Sequence, residues 1–137
     1  MALLSTKGVY GLAAMYQLFL AKTDKPMQIK EISAKADIPQ NYLEQLLILL
    51  RQAGLVKSIR GAYGGYILAK SPHDISIKDI LIALEGNILS TEMEIKNSVL
   101  RLFYEQSNRG LEAIFAHPLS EFEILAQQLH AELNYSI

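Results

Sequence analysis

Apolar residues fall along this chain in short runs of regular spacing, separated by polar or glycine-containing breaks, and the runs predict an order of elements. Val9, Leu12, Ala13, Tyr16 and Leu20 recur at i, i+3, i+4, i+7 and i+11. That spacing predicts an amphipathic core helix over about 6–22, with Ser5 or Thr6 as its cap. Thr23-Asp24-Lys25-Pro26 breaks it. Ile29, Ile32 and Ala36 share one side of a short helix over about 28–36. Asp37-Ile38-Pro39 predicts a tight turn, with Pro39 at the first position of the next helix. That helix carries a ridge of Leu43, Leu46, Leu47, Leu50 and Ala53, and Gly54 stops it. Residues 55–59 and 66–69 then read as two strands joined by a glycine-containing loop, a β-hairpin.

The second half predicts helices again. Ser76 and Asp79 form a capping-box pattern opening a helix to about Glu85, ended by Gly86-Asn87. Thr91-Glu92-Met93-Glu94 repeats the pattern and predicts a long helix to about Phe115, weakened at Gly110 by about 1 kcal/mol relative to alanine. His117-Pro118 ends it. Ser120 and Glu123 predict a last helix over about 121–132, with a frayed tail from 134.

Two short helices around a brief turn, preceded by a helix and followed by a hairpin, have the order of a winged helix-turn-helix. The expected fold is mainly α (α+β): a DNA-binding domain over 1–72, then a linker helix and helical dimerisation region over 73–137. A long helix placed after a complete small domain needs a surface to pack on, and Ile48 and Leu49 leave further apolar area uncovered. A symmetric homodimer answers both needs, with Ile95, Val99, Leu102, Phe103 and Ile114 as candidate contacts. The alternative is that these helices fold back on their own domain.

Charge sharpens the picture. The 137 residues carry a net charge of −1, yet residues 1–70 hold nine Lys/Arg against four acids, and residues 71–137 hold four against ten. Such asymmetry points to a basic face that meets an anion. The chain has no cysteine, which excludes disulfides, thiolate nucleophiles and cysteine-held metal centres within it. The apolar stretch near the N-terminus is interrupted by Gln17 and too short to span a bilayer, so a cytoplasmic protein without membrane contact is expected. His73, His117 and His130 are the only candidates for enzymatic work and have no partnered nucleophile or ligand spacing. No enzyme, metal or cofactor is expected.

The second helix of a helix-turn-helix presents its N-terminal residues to the major groove. Here these are Gln40, Asn41, Tyr42, Glu44 and Gln45. Asn and Gln amides pair with adenine and Glu accepts from cytosine, although such residues also populate any exposed helix face. The hairpin adds weight. Arg60 stands at the tip beside Gly61, Gly64 and Gly65, where it can enter a narrow minor groove while the glycines admit close backbone approach. Lys57, Ser58 and Tyr63 are its neighbours. Lys7 at the start of the first helix, and Gln28 and Lys30 at the start of the second, are candidate phosphate contacts.

The stretches STKGVYGL, NYLEQLLILLRQAGLVKSIRGAYGGYILAKSP and ISIKDILIALEG resemble the Rrf2 family of bacterial winged-helix transcriptional regulators, over about residues 3–90. The resemblance implies a homodimer joined by the long C-terminal helix on a palindromic operator, most often as a repressor. It places Asn41, Tyr42, Glu44 and Gln45 at groove-reading positions, Arg60-Gly61 at the wing tip, and Ser5, Lys7 and Gly8 near phosphate. Val9 departs from the arginine common after Lys-Gly in that family. The cluster-binding members place cysteines after the equivalent of Ala83-Leu84-Glu85-Gly86, where this chain reads Asn87-Ile88-Leu89-Ser90-Thr91. The wing sequence is nearest the cluster-free members, a likeness that does not by itself carry over their control; an effector metabolite or a partner protein is a further expected partner. The competing expectation is a protein-interaction module on the same fold that has lost operator binding.

Overall fold

The computed structural model describes residues 4–22, 24–86 and 93–135. Their order is α1 (Thr6–Ala21), α2 (Ile29–Ala36), α3 (Gln40–Gln52), β1 (Val56–Ile59), β2 (Gly65–Leu68), α4 (Ile77–Glu85), α5 (Ser98–Ile114) and α6 (Glu121–Tyr135). This is a winged helix-turn-helix followed by three further helices, mainly α, as the sequence predicts.

The core lies between α1, α2, α3 and α4, closed by the hairpin. Ala14, Met15 and Leu18 of α1 meet Ile32 of α2, Leu43, Leu46, Leu47 and Leu50 of α3, and Ile80 and Leu84 of α4. The turn into α3 works as expected: Asp37 ends α2 in the left-handed region (φ 55°) and its amide donates to Ser33 O. Pro39 sits at the N-cap of α3 rather than at its first helical position. Gly54, with φ 76°, follows the α3 C-cap Ala53.

The α1 core face differs from the predicted one. The buried residues are Gly8, Gly11, Ala14, Met15 and Leu18, while Val9 and Leu20 are each 53% exposed. The reason is close packing. A Cβ at Gly11 would stand 1.9 Å from Leu84 Cδ1, so the glycines admit α4 where larger side chains would hold it off. The helix is apolar on two faces, and spacing alone does not say which one the domain uses.

α4 opens on the predicted capping box, with Ser76 and Asp79 each accepting from the other's backbone amide. The turn between α5 and α6 then clamps this helix start. Ile77 N donates to His117 O at 2.8 Å, Lys78 N to Phe115 O at 2.7 Å, and Leu119 N to Ile75 O at 2.7 Å. Leu119 is fully buried.

α5 starts later than predicted. Residues 93–97 are not helical, and Asn97 is the N-cap, accepting from Leu100 N at 3.0 Å. A good local acceptor at Asn97 outcompetes the upstream pattern, whose Thr91 and Glu92 lie outside the described residues, as do Thr23, Asn87 and the last two residues of the tail. The helix ends at Ile114, before His117-Pro118. α6 runs three residues beyond its expected end, so Asn134 is helical rather than frayed.

Candidate nucleic-acid interface

Leu43, Leu46, Leu47 and Leu50 hold one face of α3 in the core, which turns Gln40, Asn41, Glu44 and Gln45 together to solvent. The structure thus brings four of the five predicted helix residues onto one exposed face. Tyr42 is different. It is half-buried, and its ring meets Tyr10 edge-on at 5.6 Å. This packing ties the start of α3 to α1. Ile48, 46% exposed, sits one turn beyond Glu44 on the polar face. Sequence reasoning treated it as surface awaiting cover; its place suits apolar contact with a thymine methyl. The signal was its spacing of seven from Asn41.

The wing pairs Val56 with Leu68 and Ile59 with Gly65 in an antiparallel ladder. Arg60 follows at once, exposed, with no ion pair among the described residues. The tip is a turn in which Gly64 N donates to Gly61 O at 3.0 Å, with Ala62 and Tyr63 at its centre. Tyr63 is 94% exposed. Lys57 and Ser58 are exposed on β1.

The wing glycines divide their work. Gly61, with φ 112° and nothing near its missing Cβ, is open to an approaching backbone. Gly64 is buried, and a Cβ there would lie 2.2 Å from Ile59 O. Gly65, with φ 148°, would carry a Cβ 2.5 Å from Met27 O. Gly64 and Gly65 therefore shape the hairpin and its seat. Met27 N donates to Tyr66 O at 3.0 Å and Tyr66 N to Met27 O at 2.8 Å, joining β2 to the segment before α2.

The start of α1 is arranged inward. Ser5 N donates to Glu85 Oε1 at 2.7 Å, and the Ser5 hydroxyl donates to the same oxygen. Gly8 is buried beneath this carboxylate, 3.0 Å from where its Cβ would be. An internal anion thus occupies the position the sequence suggested for a phosphate, and the Ser5 hydroxyl makes no cap bond to its own helix. Lys7 is half-buried beside it. Gln28, the N-cap of α2, and Lys30 are exposed.

On the far side, no α5 residue is buried. Val99, Leu102, Phe103 and Ile114 are 76%, 54%, 60% and 60% exposed. Ile95 is half-buried and precedes the helix rather than belonging to it. Among the described residues no group of His, Asp and Glu is placed to hold a metal, and no helix is long and apolar enough to cross a membrane.

The Rrf2 family model, described as an iron-dependent transcriptional regulator, matches residues 4–123. The HTH-type transcriptional regulator CymR of Bacillus subtilis is 48% identical over 90 residues, 66% of this chain and 65% of its own length. The HTH-type transcriptional regulator IscR of Cereibacter sphaeroides is 41% identical over 87 residues, 62% of this chain and 56% of its own. The chain spans less than two thirds of the length of these curated relatives. Among solved structures, T. potens IscR superposes with a TM-score of 0.75 at 36% identity, covering 92% of this chain and 89% of that one. CymR (YrzC), the global cysteine regulator of B. subtilis, superposes with a TM-score of 0.76 at 37% identity, covering 89% and 96%. Matched by the family model along most of its length, this chain belongs to the Rrf2 family.

Proposed function

We propose that this chain is a sequence-specific DNA-binding transcriptional regulator, a repressor that acts as a cytoplasmic homodimer on a palindromic operator without a cysteine-ligated iron–sulfur cluster. One observation supports the reading: the amide-bearing face of α3 and the unpaired Arg60 are both exposed, on two elements that pack into one core. In this reading α3 enters the major groove. Asn41 and Gln45 pair with adenine, Glu44 accepts from cytosine, and Gln40 contacts the groove edge. Arg60 enters the adjoining minor groove, where a narrow groove concentrates negative potential. Gly61 and Tyr63 lie against the sugar-phosphate, and Lys7, Gln28, Lys57 and Ser58 meet phosphates. Residues 1–72 read DNA, and residues 73–137 join two copies through the open face of α5. An effector metabolite or a partner protein sets occupancy. No catalytic step is assigned.

Selection of bound duplexes from a random pool, with and without cell extract, tests this. An enriched inverted repeat is expected, and Arg60→Ala should weaken binding to it by about 1–3 kcal/mol. Unchanged affinity in that variant would remove the wing from the reading. A second reading, an interaction module that has lost operator binding, is favoured by Glu85, which fills one candidate phosphate position. It expects no enriched repeat.

A further inference from the structure

A cavity of about 410 Å³ opens between the C-terminal end of α1, the end of β2 and the start of α6. Phe19, Leu68 and Phe122 form its apolar wall. Phe122 is held edge-on to Tyr16 at 5.4 Å, with the ring planes at 89°. Lys22, His73 and Glu123 line the same space. The volume suits a small molecule, and junctions between parts of a fold are where such sites concentrate. The polar set is balanced: an exposed lysine and an exposed imidazole share the cavity lining with one exposed carboxylate.

Lys22 adds a separate observation. It ends α1 with φ 64° and ψ 165°, a backbone region nearly reserved to glycine. Ending a helix does not require this, since Asp37 ends α2 in the ordinary left-handed region. Strain of this kind persists only where the surrounding structure holds it, and it clusters at functional sites.

We propose that this cavity binds an α-amino acid with an apolar side chain. Its carboxylate pairs with Lys22 and His73, its ammonium with Glu123, and its side chain lies against Phe19 and Phe122. The bound molecule braces α6 against α1 and β2. Binding does not depend on the DNA reading, and titration of the DNA-free protein tests it alone.

Isothermal titration calorimetry of the full chain would use L-phenylalanine and L-leucine as probes, with phenylacetate and phenethylamine as analogues lacking the amine or the carboxylate. Saturable binding of an amino acid is expected, with both analogues at least tenfold weaker. Lys22→Gln and Glu123→Gln should each weaken binding at least tenfold. Lys22→Gly should abolish binding while raising the thermal midpoint, because it relieves the backbone; this variant separates lost recognition from lost folding. Absence of binding by both amino acids at millimolar concentration overturns the proposal. So does phenylacetate binding as tightly as L-phenylalanine, or binding that survives both charge-removing substitutions.

Discussion

Gly65 and Gly110 ask opposite things of an added methyl group. At Gly65 the backbone holds φ 148° and a Cβ would press on Met27 O, so Gly65→Ala should destabilise the fold by about 1–3 kcal/mol. At Gly110 nothing lies within 4 Å of the missing Cβ and the residue is inside α5, so Gly110→Ala should stabilise by about 0.5–1 kcal/mol. Urea denaturation of both variants checks the signs; equal shifts in one direction would contradict the assignment. The sequence marks each glycine without saying which task it has. Local pattern showed that Gly61, Gly64 and Gly65 belong to a turn. Only the neighbour across space, Met27, shows that one of them seats the wing. Tyr42 adds to this: its place beside Asn41 suggests a base contact, and the edge-on contact of its ring with Tyr10, 32 positions earlier, shows only in the fold.

At the scale of elements, what was legible is what short-range chemistry decides. The α4 capping box, the α2 turn and the hairpin follow from residues within a few positions of one another. The core face of α1 was not legible, because apolar residues line both faces and the choice rests on Gly8 and Gly11 meeting α4 some 70 residues later. The start of α5 was misplaced because two capping signals competed and Asn97 prevailed. α5 also raises the sharpest question about assembly. A 17-residue helix with no buried side chain stays formed in water only at the margin of what isolated helices manage. If its open face joins two copies, Leu102→Glu should place a charge in that contact and lower the light-scattering mass from dimer to monomer. A mass that stays dimeric would locate the contact elsewhere.

For the molecule as a whole, the divided charge matters more than its near-zero sum. A reading surface on the basic half should release counterions from DNA, so the logarithm of the binding constant should fall linearly with the logarithm of salt concentration, by about 0.9 per phosphate neutralised. Lys57→Ala should reduce that slope by about one if the lysine meets a phosphate, and filter binding across a salt series measures it. A flat salt dependence in the unmodified chain would count against any polyanion partner. Ser5 at the α1 start, closed on Glu85, is not expected to add to that slope.

The pair of backbone bonds between Met27 and Tyr66 has a mechanical corollary. In the proposed reading, a β-finger fastened along β2, close to its tip, cannot swing to suit its target, so its distance from the α3 end is set before any duplex arrives. Little ordering entropy is then forfeited on contact, which favours affinity. The counterpart is intolerance: a site with one base pair inserted between the two contacted steps offers nothing that this finger can stretch to meet.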